Sequence, residues 1–143
     1  MKIMAVDLGD ARTGLALCDI TETLASPLCV IEERGAENLL RKVAAAVKEH
    51  AAGMVVVGYP RHMNGDAGIR AQKSELFSKQ LGKLADVPII LWDERGTTVS
   101  AARQLNETNT RGQKRKQIID AVAAVIILEN YLMYRRNQLT INN

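Results

Sequence analysis

The stretch IMAVDLGDARTGLALCD, residues 3–19, holds two apolar runs joined by a short link that contains Gly9. Residues 3–6 and 15–17 are apolar, which predicts two buried strands, over 3–8 and 13–20. Because the link is short, we expect the strands to pair as an antiparallel hairpin. Asp7 ends the first strand. A carboxylate there indicates either a hydrogen bond to turn amides or a functional site.

Outside this hairpin the chain changes from strands to an alternation of strand and helix. A third strand is predicted at 28–31, and β-branched or apolar runs predict further strands at 54–57 and 87–94. Helical spacing of apolar residues predicts helices over 36–50, 69–84, 97–105 and 117–136, with a polar loop at 106–116. The apolar face of the second helix is predicted to contain Ile69, Leu76, Phe77, Leu81 and Leu84.

This order of elements predicts an α/β fold. The first three strands form an antiparallel meander, and the later two, reached through crossover helices, run parallel to the first. The result is a five-stranded mixed sheet with helices on both faces and the first strand at its centre. We expect one domain over residues 1–137 and a flexible C-terminal tail over 138–143.

Composition indicates a globular protein and permits an anionic partner. The chain has 143 residues, 47% hydrophobic and 24% charged, which is enough for one well-buried core. A formal charge of +3 and a pI near 9.0 suit an anionic partner without requiring one. Cys18 and Cys29 lie in apolar runs and are expected to be buried free thiols. With no signal peptide and no run of about 20 apolar residues, the expectation is a cytoplasmic protein without membrane contact.

Acidic residues stand at three places where a core pattern would not put them. Asp7 ends the first strand, Asp93 and Glu94 end the last strand, and Asp120 lies in the most apolar helix. Parallel strands end at one edge of a sheet, which is where α/β proteins carry their chemistry. Carboxylates that meet there repel one another unless a cation binds, and an all-oxygen set favours Mg²⁺ or Mn²⁺. Two such ions suit an in-line phosphoryl displacement.

Each acid also has a structural interpretation. Asp7 alone is as well explained by a bond to turn amides. Asp93 and Glu94 can be solvated acids at a strand end, or Asp93 can face the N-terminus of the next helix. Asp120 can be a helix N-cap, although the residues before it already look helical.

Basic and glycine-rich segments add candidates for phosphate contacts. The loop after the fourth strand contains Arg61, His62 and Asn64 between glycines, and such a turn can hold a phosphate, although glycine is also common there for steric reasons. A second group adjoins Asp120, and it can either grip a sugar-phosphate backbone or form a solvated face. Its members are Arg111, Lys114, Arg115 and Lys116.

Four ordered motifs resemble the YqgF/RuvX family of Holliday-junction resolvases. DLGDARTGLA is similar to the opening D-x-G-x-x-R-x-G motif, and VGYPRHMNGDAG to the second, G-x-P-x-x-M-x-G. DERGTT resembles the third motif and KRKQIIDAVAAVIILENYL the fourth. The four motifs cover nearly the whole chain, so the resemblance is specific. One departure is Gly96, where the family usually has an apolar residue.

The resemblance implies an RNase H-like fold and a nuclease that depends on Mg²⁺ or Mn²⁺, with two ions and 5′-phosphate and 3′-hydroxyl products. It implies that Asp7, Glu94 and Asp120 are the catalytic acids and metal ligands, with Asp93 as the alternative to Glu94 because strand parity is not fixed by the sequence. Arg12 and Arg95 match motif arginines that contact phosphate. The implied task is processing of the 5′ end of the 16S rRNA precursor, with Holliday-junction cleavage as the alternative.

Two further hypotheses compete with the nuclease. One is an RNA-binding ribosome-assembly factor in which the acids are not catalytic, with the ribosomal subunit as partner. The other is an ATP-binding protein, since D-x-G-x-x-x-G loops also occur in sugar kinases, but those need two domains to enclose the nucleotide. The expected partner is therefore nucleic acid, either an rRNA precursor or branched DNA, bound by a monomer or, for junction cleavage, by a homodimer.

Overall fold

The computed structural model describes residues 1–60, 65–93 and 112–142, with the backbone alone at 65–67, 93, 112–120 and 140–142. The five strands are β1 (Ile3–Asp7), β2 (Arg12–Cys18), β3 (Ala25–Glu32), β4 (Met54–Tyr59) and β5 (Ile89–Asp93). The three helices in the described ranges are α1 (Ala36–Glu49), α2 (Gly65–Ala85) and α3 (Gly112–Asn142). The helix predicted over 97–105 lies outside these ranges.

The strands form one mixed sheet in the order β3-β2-β1-β4-β5. β1 pairs antiparallel with β2 and parallel with β4, while β5 continues the parallel side. The β2–β3 pair is antiparallel, with an irregularity between Leu15 and Ala16. The predicted fold class is confirmed, including the central place of the first strand.

Alternate residues of the central strands supply two separate cores. Met4 and Val6 pack with Leu15, α1 and α2 on one face of the sheet. Ile3 and Ala5 pack on the other face with Val56 and the α3 cluster. Successive side chains of a strand point to opposite faces of the sheet. Because helices cover both faces here, the central strand needs an unbroken apolar run.

The last helix is longer than the sequence predicted. It begins at Gly112, so the polar residues 112–116 belong to α3 and not to a loop. At the other end it continues to Asn142, through most of the segment predicted as a tail. The domain boundary at residue 137 remains a prediction. Within the described residues, no helix combines the length and apolar character that crossing a bilayer requires.

The core face of α2 differs from its predicted face. Phe77 and Leu81 are buried, as expected, but Ile69, Leu76 and Leu84 are each about half exposed. Small residues of α2 are buried instead, among them Ala71, Ser74 and Ser78. A helix that packs close to a sheet needs small side chains at the contact, and a hydrophobicity pattern cannot identify them. Cys18 is buried as predicted, whereas the prediction for Cys29 is wrong because it is exposed on the edge strand β3.

Candidate active site

Asp7 lies at the carboxyl end of the central strand, where the parallel strands β4 and β5 also end. Val6 is level with Val57, and Val57 is level with Leu91. Asp7 follows Ile3 and Ala5 in the alternation that faces α3, and its side chain is half-buried. A partly shielded carboxylate at this edge of a sheet is suited to bind a cation, since fewer waters compete for it.

The hairpin after Asp7 is built too tightly for side chains at Gly9. A Cβ at this position would lie 2.1 Å from the carbonyl oxygen of Arg12. The Gly9 amide donates a hydrogen bond of 3.4 Å to the hydroxyl of Thr13, which is fully buried. Thr13 therefore anchors the loop from inside the sheet and fixes the chain that leaves Asp7.

Arg12 lies on the far side of this hairpin against an acid of the neighbouring strand. Its Nε is 3.8 Å from an oxygen of Glu32 and buried, without a hydrogen-bond partner. The two residues line a cavity of about 430 Å³ together with Glu33 and Arg34. At this distance from Glu32, the Arg12 guanidinium retains N–H groups that could donate hydrogen bonds to an anion in the cavity.

Two polar contacts tie the sheet edge to α2. The hydroxyl of Tyr59, at the end of β4, donates a 2.7 Å hydrogen bond to Glu75. This bond, with a smaller effect of burial, raises the pKa of the Tyr59 phenol. Lys73 pairs with Asp10 of the hairpin at 3.3 Å, at the rim of a cavity of about 330 Å³. The Tyr59–Glu75 bond ties the end of β4 to α2, whereas the exposed Lys73–Asp10 pair contributes little.

The other predicted site residues lie partly outside the described structure. Asp93 is the last residue of β5 and pairs with Tyr59 in the backbone register, while Asp120 lies nine residues into α3, not at its start. The side chains of Asp93 and Asp120 are not described, and Glu94 lies outside the described residues. Arg61, Asn64, Arg95 and Arg111 also lie outside the described residues. The side chains of Lys114, Arg115 and Lys116 are not described. Among the side chains that are described, no three His, Cys, Asp or Glu residues form a metal-binding group.

The direction of α3 is fixed by contacts near its C-terminal end. Arg135 donates a hydrogen bond to Glu22, which also accepts one of 2.9 Å from the Met1 ammonium. Tyr131 lies against Met54, the first residue of β4. Burial acts to raise the pKa of Glu22, but its bonds to Arg135 and the ammonium outweigh burial and hold the pKa below its usual range. The C-terminal part of α3 thus lies at the end of the sheet opposite Asp7.

Comparison with known proteins identifies the family. The family model described as RuvX, Holliday junction resolvase, matches residues 1–134. The chain belongs to this family. The resemblance of its four motifs is thereby confirmed, and so is the class of enzyme that they imply, a nuclease that acts on phosphodiester bonds.

Curated relatives of this RuvX protein carry one name. A protein of Thermoanaerobacter pseudethanolicus is 40% identical over 139 residues, which cover 96% of this chain and all of the relative. A protein of Bacillus subtilis is 38% identical over 134 residues, covering 92% of this chain and 97% of the relative. Both are named "Putative pre-16S rRNA nuclease".

Solved structures support the fold of the RuvX chain. Thermus thermophilus RuvC, in complex with a Holliday junction substrate, matches with a TM-score of 0.63 at 13% identity, over 96% of both chains. The fowlpox virus resolvase, in complex with Holliday junction DNA, matches with a TM-score of 0.58 at 14% identity, over 94% of this chain and 98% of that one. At these identities the likeness concerns the fold alone.

Several residues near Asp7 were not identified from the sequence. Thr13 was read only as part of a strand, and nothing in its pattern signals a buried hydroxyl that binds a loop amide. The pairs Tyr59–Glu75 and Lys73–Asp10 join residues distant in sequence, so spacing along the chain could not reveal them.

Proposed function

We propose that this protein is a divalent-metal-dependent nuclease that cuts structured nucleic acid, and that its task is processing of the 5′ end of the 16S rRNA precursor. The observation that carries the proposal is the half-buried Asp7 at the edge where three parallel strands end. Family membership and the name of the curated relatives support the substrate. Asp7, Glu94 and Asp120 are the proposed catalytic acids.

The course of α3 supports Asp120 as a member of this set. Position 120 is four residues before Ala124 and seven before Ile127, both of which pack on the sheet, so it shares their stripe. From residue 135, beside Met1, to residue 120 the helix rises about 22 Å. From Met1 to Asp7 the extended chain covers about 20 Å. A helix antiparallel to β1 would therefore bring position 120 to the level of Asp7.

Strand parity favours Glu94 over Asp93 as the middle ligand. Ile90 and Trp92 pack with the cluster under α3, which is the face of Asp7, whereas Ile89 packs with the opposite cluster. Positions of a strand alternate between faces, so a strand that continued through residue 94 would place that residue on the face of Trp92 and residue 93 on the other face. Asp93 remains the alternative ligand if the strand ends in a bulge.

The chemistry of the donor set fits Mg²⁺ or Mn²⁺. Carboxylates are hard oxygen ligands, and the proposed set contains neither His nor Cys. Bound ions would supply a water activated for attack on phosphorus and charge to stabilise the leaving oxygen. Arg12 would contact a phosphate, since its side chain lines the cavity beside the hairpin together with Arg34. The further proposed phosphate contacts are Arg61, Asn64, Arg95, Arg111, Lys114, Arg115 and Lys116.

Holliday-junction cleavage is the second candidate function. The description of the family model favours it. Cutting two strands of a junction symmetrically requires two active sites, so this function needs a homodimer. The solution mass therefore separates the candidates, because a monomer favours the processing of RNA.

The test compares two neighbouring aspartates. Purified protein is incubated with precursor 16S rRNA and with four-way DNA junctions, with Mn²⁺ or with EDTA. We expect Mn²⁺-dependent cutting by the parent and a loss of about 100- to 1,000-fold in Asp7→Asn. Asp10→Asn, whose carboxylate is 79% exposed, should cut at a near-parental rate. Equal cutting by Asp7→Asn and the parent would refute the assignment. RNA binding without cutting, unaffected by EDTA, would indicate the assembly factor instead.

A further inference from the structure

Three of the five aromatic side chains of this protein meet in one cluster. The rings of Trp92 and Tyr131 are 5.3 Å apart in an edge-to-face contact, and those of Trp92 and Tyr134 are 5.1 Å apart at 49°. Tyr131 is 5% exposed and belongs to the core under α3. Tyr134 is 46% exposed, so the cluster runs from the core to the surface.

We propose that Trp92 and Tyr134 form a stacking platform for an unpaired base of the nucleic-acid substrate. The inference rests on the proposed function and adds a binding site to it. An aromatic ring half open to water, backed by a second and third ring, offers a base a flat apolar surface that is already in place. Stacking of this kind accepts any base, because every base has a π face.

The platform lies within reach of a substrate strand held at Asp7. Val6, Val57 and Leu91 lie in one row across the sheet. Asp7 and Trp92 are each the next residue along their strands after that row. Two strand spacings separate their backbones, about 10 Å. The Tyr134 ring is 5.1 Å from that of Trp92, and Tyr134 adjoins Arg135 toward the opposite end of the sheet, about 21 Å along α3 from position 120. A single strand of a few nucleotides can span this separation.

The exposed residues three and four positions from Tyr134 along α3 are polar and uncharged. They are Asn130, Asn137 and Gln138. Amide side chains donate and accept hydrogen bonds with bases, sugars and phosphates. The acid on the adjoining turn, Glu129, projects about 140° away around the helix, so it does not oppose a phosphate here. These neighbours favour a nucleic acid over an apolar protein surface.

The single tryptophan makes the platform directly measurable. Trp92 fluorescence is titrated with oligouridylate of about ten nucleotides in EDTA, so that binding is followed without cutting. We expect saturable quenching for the parent. We expect the affinity to fall about ten-fold in Tyr134→Ala, as loss of one stacked base predicts. Tyr134→Phe should restore it, and Met133→Ala, which truncates a 55% exposed neighbour, should leave it unchanged.

Absent quenching, or equal affinity for Tyr134→Ala and Met133→Ala, would overturn the platform. A solution mass that falls in Tyr134→Ala with unchanged oligouridylate affinity would also overturn it, since the ring would then serve contacts between copies. The proposed function is judged separately by Mn²⁺-dependent cutting and its loss in Asp7→Asn. If Tyr134→Ala and Met133→Ala bind oligouridylate equally while the parent still cuts its substrate, the platform is refuted and the nuclease proposal stands. If oligouridylate quenches Trp92 fluorescence but the parent does not cut, the nuclease proposal is refuted and the platform stands.

Discussion

Replacing Glu22 by Gln should destabilise the fold far more than its surface position suggests. Glu22 joins the Met1 ammonium to Arg135, and its side chain is 21% exposed. A hydrogen bond to a charged group contributes about 1.5–3 kcal/mol. Because all three groups retain contact with water, we discount the two bonds together to about 2 kcal/mol. Gln keeps the shape, and the positive φ of 60° at this residue affects Glu and Gln alike.

The measurement is urea unfolding of the parent, Glu22→Gln and Glu37→Gln at pH 7. Glu37 also pairs with an arginine, Arg41 at 2.9 Å, but both side chains are mostly exposed, at 79% and 67%. We expect a loss of less than about 0.5 kcal/mol in Glu37→Gln, as for other exposed helix pairs. Equal losses in the two variants would refute the claim that partial burial strengthens the Glu22 contacts.

The pH dependence provides a second check on Glu22. Its pKa is lower in the folded protein than in the unfolded chain, where it is about 4.3. The stability that the carboxylate contributes is therefore present above the unfolded value and is lost as the pH falls through the folded one. The difference in unfolding free energy between the parent and Glu22→Gln should shrink below about pH 4. A difference that stayed constant from pH 7 to pH 3 would contradict this account.

Three further results are expected. Gly9→Ala should lower the free energy of unfolding by about 3 kcal/mol, because the added Cβ would lie 2.1 Å from the Arg12 carbonyl oxygen. The thermal midpoint should fall by roughly 10 °C, and an unchanged midpoint would contradict the hairpin geometry. Cys29 should react with a thiol reagent in the native protein and Cys18 only after unfolding, since one is exposed and the other buried, which mass spectrometry can check. Arg12→Ala should weaken RNA binding and reduce the slope of log affinity against log salt by about one, so a parental slope would exclude a phosphate contact.

The sequence was sufficient for the fold because hydrophobic periodicity and the order of elements constrain it strongly. Residues 3–6 form a fully buried strand, and only a central position in a sheet covered on both faces accommodates that pattern. Helix α2 shows the limit of this reasoning. Leu76 and Leu84 satisfied the helical period, yet they are half exposed and the small residues Ala71 and Ser74 are buried instead.

The kind of site, a group of acids at the ends of neighbouring strands, could be predicted from the sequence. Which of these acids share one face of the sheet could not. Acids at strand ends suggested a shared edge, and the register of β1, β4 and β5 confirms that these strands end together. The choice between Asp93 and Glu94 depends on parity, which an apolar run does not reveal when both faces are buried. The length of α3 was underestimated because its first turns are polar, and polar residues alone do not distinguish a solvated helix from a loop.

The assembly of the sheet and α3 also has a consequence for synthesis of the protein. The proposed acids come from the first strand, the end of the fifth strand and the last helix, so no fragment shorter than about 120 residues contains them all. The hydrogen bond from Arg135 to Glu22 further stabilises the docked helix. A growing chain at the ribosome, surrounded by RNA, would therefore have no working nuclease centre until its C-terminal helix had emerged and closed the fold.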